Sequence, residues 1–240
     1  MVNVKNLTKW VAPVLMFVLC DFIYRQHLVK YLLDRDYLVV NFFENSFLNK
    51  TFSFGLLNFA VAVIILLISK FIFKEKLTSI DSSDKISFKK SAIIVFLAVV
   101  VTIIIFYLLT YIIYDVLGSS ANSAAAIYIR DMYMRNKFIY VIFTFFTVTF
   151  EEVVYRKLLF GYLYDLHSGC NRYIRLITSL LGSVIIFGAI HDGVLGSGMI
   201  YYVIAGISFT IVYFYTKRIS AAIAIHFLYN ICVPLIRTII

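Results

Sequence analysis

The sequence predicts an all-α protein, a polytopic bundle of about seven membrane-spanning helices. Three observations carry that expectation. The chain has 240 residues of which 62% are hydrophobic, with a mean hydropathy of +0.92, well above the apolar share of a soluble domain. The apolar residues fall in runs long enough to cross a bilayer as helices. No run shows the period-two alternation of a barrel strand, and helices and closed barrels are the structures that span a membrane.

The first span is short, about Trp10 to Tyr24, with room to continue at a tilt past Asp21. Charges and aromatics mix between Arg25 and Lys50, as in a helix lying along the interface. The second span is about Phe52 to Ser69, followed by a basic loop, Lys70 to Lys90, that holds six lysines. The third runs from Ser91 to Leu117, and Gly118 to Ser123 breaks it. The fourth, Phe138 to about Leu166, is long enough to tilt or protrude. The fifth is Ile174 to His191, the sixth Met199 to Thr216 and the seventh Ser220 to about Leu235.

The net charge of +9 raises the question of nucleic acid, and the placement of the charge answers against it. Lys and Arg gather in the short loops between spans. With the N-terminus inside, twelve lie on the inner side and eight on the outer, leaving out Arg156 and Lys157 as part of a span. That bias favours an N-in orientation. Cys20 and Cys232 fall in apolar helices and Cys170 in a loop, so no disulfide framework is implied. The first three spans carry no polar cluster. The expected division is an N-terminal transmembrane region, 1–137, and a catalytic helical core, 138–236.

The polar residues of that core stand out because carboxylates inside a bilayer helix are expensive, on the order of 3 kcal/mol each on insertion scales. Glu151 and Glu152 follow the apolar run Phe138 to Phe150. Successive helical residues project about 100° apart, so the two carboxylates face different ways. Glu152 and Arg156 are four apart and share a face, which predicts an internal ion pair. Glu151, with no cation of its own in that span, is then available as a general base. The plainer reading is that both carboxylates only staple helices together. In the fifth span Phe187 lies one turn before His191, where it can wall a site against water; a histidine at a helix end can equally be an interface residue. In the seventh, His226 and Asn230 are one turn apart and form a donor pair suited to an oxyanion, or cap neighbouring carbonyls.

Taken together and in this order, Glu151-Glu152-x-x-x-Arg156, Phe187-x-x-x-His191 and His226-x-x-x-Asn230 resemble the motifs of the CAAX-protease and bacteriocin-processing (CPBP) family, which includes the Rce1-like prenyl-protein endopeptidases. The segment Thr216 to His226 also resembles the family's approach to its last motif. The likeness covers about Phe138 to Leu235, less than half of the chain. It implies that Glu151 and His191 activate the attacking water. It also implies that His226 and Asn230 form the oxyanion hole, and that Glu152 and Arg156 support the geometry. Cofactors are not demanded: a Glu–His pair can act without metal, although Glu151, His191 and His226 are a set that zinc accepts.

The expected function is an intramembrane endopeptidase, multi-pass in a bacterial plasma membrane. Its partners would be the lipid bilayer and a peptide or lipidated-peptide substrate. No serine or cysteine is placed to form an acyl-enzyme. The alternative is a non-catalytic membrane partner with the same fold, such as a bacteriocin immunity factor or a sensor-kinase regulator. A proton-coupled transporter would also bury Glu and His, but the repeats and broken helices of many transporters are not evident.

Overall fold

The protein is described from a computed structural model, which covers residues 11, 14–74, 77–81, 83–118, 124–194, 196 and 198–237. Helices dominate. α1 comprises Val18–Val29, wound with wide π-type turns, and Lys30–Asp34; α2 is Ser46–Phe71; α3 is Phe88–Tyr111 continued by Ile112–Val116. α4 is Ala124–Arg135, and α5 is built from Lys137–Glu152, Val153–Phe160 and Gly161–Leu166. α6 is Arg172–Asp192, α7 Met199–Thr216 and α8 Ile219–Arg237.

Among the described residues, six of these helices are long and apolar enough to cross a membrane: Ser46–Phe71, Phe88–Val116, Lys137–Leu166, Arg172–Asp192, Met199–Thr216 and Ile219–Ile236. They correspond to the second to seventh predicted spans, a close match to the expected seven. Most of the first predicted span, Trp10 to Tyr24, lies outside the described residues or merges into α1. The stretch expected to hold an interfacial helix is corrected in part. α1 runs on to Asp34, and residues 39–45 then form an irregular segment pinned by Asn49, whose Oδ1 accepts from the Phe42 and Phe43 amides at 3.1 and 2.8 Å. An additional short helix, α4, stands between the third and fourth predicted spans. Its Tyr128 hydroxyl bonds Thr51 at 2.6 Å.

Helix starts follow local chemistry. Asn45, Ser87, Asn136 and Asn171 each accept a hydrogen bond from the first turn of the helix they precede, satisfying amides that otherwise lack partners. α5 is the central element: Val148 and the stretch from Phe150 to Phe160 are almost wholly buried, save Glu151. It packs against α2, α6 and α8, while α6 lies along α7 and α3 along α8. α3 turns Phe96, Leu97, Ile104 and Leu108 outward, a face for lipid rather than for core.

Small residues set the spacing at the site. A Cβ on Gly188 would stand 2.9 Å from Val203 Cγ2 and 3.2 Å from the Met199 carbonyl. On Gly206 it would meet Phe187 and Val184 at 3.3 Å. The α6–α7 contact is therefore as close as backbone allows, the arrangement small residues permit between membrane helices.

Candidate active site

The two adjacent glutamates of α5 face different neighbours, as their helical spacing requires. Glu151 looks toward α1 and α6. Its Oε1 accepts from Arg25 Nη1 at 3.0 Å and lies 3.3 Å from His191 Nε2. Glu152 looks toward α8, where its Oε1 is 2.8 Å from His226 Nδ1. Its other oxygen is 3.1 Å from Arg156 Nε, with both side chains fully buried. The contact is an ion pair without hydrogen-bond alignment, since none of the three Arg156 nitrogens has a hydrogen-bond partner. The predicted Glu152–Arg156 pairing therefore has its geometry, and Glu152 additionally holds His226.

His226 stands between the two carboxylates. Nδ1 is on Glu152, and Nε2 points at Glu151 Oε2 from 3.9 Å, too far for a direct hydrogen bond. His191 is held from behind. Its Nδ1 is 2.7 Å from the Phe187 carbonyl. A carbonyl only accepts, so Nδ1 carries the hydrogen and Nε2 is the ring nitrogen left to exchange a proton on the Glu151 side.

Aromatic rings wall the cluster. Phe187 lies 4.3 Å from the His191 ring and Phe209 stacks on His226 at 4.3 Å. The Arg156 guanidinium sits over both rings, 4.4 Å from Phe187 and 5.5 Å from Phe209. The cation lacking hydrogen-bond donors' partners is thus accommodated by one carboxylate and two π faces. Tyr202 also stacks on His191, at 4.9 Å.

Asn230 sits one turn after His226. Its carbonyl oxygen accepts from the Tyr140 hydroxyl, a bond that ties α5 to α8. Its amide makes no hydrogen bond with Glu151, Glu152, His191 or His226 among the described residues. Six of the seven predicted residues, Glu151, Glu152, Arg156, Phe187, His191 and His226, thus form one connected cluster.

One expectation is corrected. Glu151 does have a cation, and it comes from outside the expected catalytic core. Arg25 of α1 is 7% exposed and gives Nη1 to Glu151, Nη2 to the Tyr155 hydroxyl at 3.1 Å, and Nε toward Asp21 at 2.9 Å. Asp21 is itself 1% exposed. The early part of the chain therefore carries a buried polar cluster after all. The signal was present as Asp21 and Arg25 four residues apart at the end of an apolar run. Reading the span as ending at about Tyr24 assigned Arg25 to the charged stretch that follows it. Phe209 and Tyr202 were hidden differently, because aromatic residues are too common in this chain to single out two.

Zinc fits this set poorly. Among the described residues no three His, Cys, Asp or Glu side chains are arranged to hold a metal ion. The fixed Arg25 charge also lies 3.0 Å from the oxygen of Glu151 that a metal shared with His191 would need. Asp192, beside His191, serves the following loop: its Oδ2 accepts from the Gly198 amide at 2.6 Å.

A search of curated proteins and of solved structures finds no match. Residues 133–232 match the family model of the Rce1-like type II CAAX prenyl endopeptidases. That stretch begins just before α5 and ends within α8, so it contains all three motifs and both histidines of the cluster. Over residues 133–232 the chain is similar to the Rce1-like CAAX proteases, the family that its three motifs resemble.

Proposed function

We propose that the protein is an intramembrane endopeptidase that hydrolyses a peptide bond by direct attack of water. The observation that carries this reading is the meeting of Glu151 with two histidines from separate helices, His191 Nε2 at 3.3 Å and His226 Nε2 at 3.9 Å. Water lodged against Glu151 and His191 Nε2 would attack the scissile carbonyl carbon. Its proton passes to the Glu151–His191 pair, and the new C–O bond leaves negative charge on the carbonyl oxygen. The C–N bond then breaks as the held proton reaches the leaving amine. No covalent enzyme intermediate forms.

His226 and Asn230 would stabilise the oxyanion. To donate from Nε2 while Nδ1 stays on Glu152, His226 must carry both hydrogens, and the Glu152 carboxylate supplies the counter-charge that such an imidazolium needs. Arg156 holds Glu152, and Phe187 and Phe209 keep the rings in place and water out. The substrate class is a small or membrane-associated peptide, and the setting a bacterial plasma membrane.

Replacing Glu151 with Gln tests the reading, because it keeps volume and removes the base. Processing is expected to fall at least a hundredfold, the scale of lost general-base catalysis. Mass spectrometry of peptides that accumulate uncleaved in cells carrying the variant would also identify the substrate. Wild-type processing by Glu151→Gln would sink the hydrolytic reading.

The Arg25–Glu151 ion pair favours a second reading, since a purely structural polar core would also neutralise this carboxylate. In a non-catalytic membrane partner, Glu151→Gln and His191→Ala would keep the biological phenotype.

A further inference from the structure

At the end of the bundle away from His191, three segments gather: the loop after α2, the end of α5 and the α7–α8 junction. The Ile86 amide donates to the Thr216 carbonyl at 3.2 Å, and Arg218 Nε donates to the Ile86 carbonyl at 2.6 Å. Between them is a cavity of about 230 Å³ whose charged lining is Lys70, Asp81, Lys85, Lys157, Lys217 and Arg218. Five cations face one carboxylate. Asp81 is matched to Lys157, with Oδ1 on Nζ at 2.6 Å, so the lining carries a positive excess from Lys70, Lys217 and Arg218 without counting Lys85.

One observation independent of that count points to an anionic ligand. Ser69 also lines the cavity, is 2% exposed, and its hydroxyl has no hydrogen-bond partner; an unpaired buried donor is costly without a ligand. Lys217 ends α7 in the left-handed backbone region, its amide donating to the Tyr213 carbonyl at 2.8 Å, and the residue lines the cavity. Burial lowers Lys217 to about 8, and Arg172 and Arg175 push it the same way, so its ammonium lies among like charges. The first residues of α8, Ile219 and Ser220, complete the wall and add the positive end of a helix.

Size and position narrow the ligand. At about 30 Å³ per water, the cavity holds an anionic group with a few waters and not a peptide. It opens where apolar spans end, beside Phe71 and Ile72, both 69% exposed. The remaining oxygen of Asp81, Oδ2, is also without a partner and calls for a hydroxyl on the ligand. Hydrogen phosphate carries one, as does the glycerol of phosphatidylglycerol.

We propose that this cavity binds a hydroxyl-bearing phosphate group, presented either by an anionic lipid headgroup at the bilayer surface or by free phosphate. Cations lead on Lys70, Lys85, Lys217 and Arg218, Ser69 donates to a phosphate oxygen, and Asp81 accepts from the ligand's hydroxyl. The site is separate from the Glu151 cluster, and its existence does not depend on the protease reading.

The test uses the full chain with Lys217→Gln/Arg218→Gln, Lys85→Gln as a milder variant, and Lys30→Gln as an exposed control away from the cavity. Each protein is extracted from bilayers of phosphatidylcholine alone or mixed equally with phosphatidylglycerol, and native mass spectrometry reads the retained lipid. Thermal unfolding with added inorganic phosphate forms the second arm. Wild type and Lys30→Gln are expected to retain phosphatidylglycerol, with a loss on the order of tenfold in the double variant. Lys85→Gln should lose retention in the same direction, which keeps the test decisive where the double variant does not extract intact. A rise in Tm with phosphate that the cavity variants lose, without lipid retention, assigns the same site to free phosphate. No selective retention and no phosphate response, or equal losses in Lys30→Gln, overturns the proposal.

Discussion

Each charged side chain in the α5 cluster has a partner that the surroundings make hard to replace. Arg25 is the clearest case, because one guanidinium serves Glu151, Tyr155 and Asp21 in a nearly dry position. Removing one member of a buried ion pair leaves its partner uncompensated, at a cost of roughly 3–5 kcal/mol. Arg25→Ala is therefore expected to lower stability by about that amount, read as a fall in the midpoint of unfolding in detergent, whereas Arg25→Lys recovers part of it through a single charge–charge contact. The same logic applies to Glu152 and Arg156. Glu152→Gln alone should destabilise strongly, and Glu152→Gln with Arg156→Met should destabilise less than the single change. A double-mutant cycle reads the coupling, and additive effects would contradict the pair. These two pairs differ in legibility. Glu152 and Arg156 were predictable because four residues on a helix make one face. Arg25 and Glu151 are 126 residues apart, and nothing local in either stretch names the other.

Helices bring these side chains into register through contacts that leave little slack. α6 carries His191 and Phe187, and Gly188 lies between them against α7. A branched side chain there must displace Val203 and crowd the Met199 carbonyl, so Gly188→Val is expected to cost about 1–3 kcal/mol. By moving His191 away from Glu151, it should also reduce processing more than stability explains. Gly182→Ala meets only the Leu163 side chain at 3.2 Å and should be nearly silent in both measurements. α5 holds the opposite wall, and its wide turns over Val153–Phe160 begin just after the glutamates. Such turns recur at functional positions in helices. The first turns of the long spans were not readable, α2 beginning at Ser46 and not Phe52 and α3 at Phe88 and not Ser91, whereas the spans themselves were readable from apolar length. The wide turns and α4 were not, since each depends on what the helix packs against and not on the composition of its own residues.

For the molecule as a whole, the structure makes the early chain part of the site. A protein beginning at Ser46 would keep every motif residue from Glu151 to Asn230 and lose Asp21 and Arg25. It is expected to lose peptide processing and to unfold at lower temperature, because Glu151 would then be buried beside His191 without its guanidinium. Supplying α1 as a separate co-expressed segment should restore part of the activity. Full processing by the shortened chain would show that residues 1–45 are dispensable. At the opposite end of the bundle, Ser79, Asp165 and Arg175 form a clip between the loop after α2 and the α5–α6 turn, with Arg175 Nη2 to Asp165 Oδ1 at 3.0 Å. The two ends therefore differ in chemistry, one a near-balanced polar cluster and the other a positively charged recess.

Hydropathy and periodicity by themselves determined the all-helical membrane class and six of the spans, because burying backbone in lipid leaves helices as the solution for long apolar runs. Helical spacing also determined that Glu151 and Glu152 face apart and that Glu152 meets Arg156. Only the tertiary structure decided which distant groups complete the cluster: Arg25 on Glu151, Glu152 on His226, Phe209 over His226, and the gathering of five cations around one cavity. Those pairings arise from helix packing, where close approach at small residues and the need to neutralise each buried charge act between segments that the sequence separates.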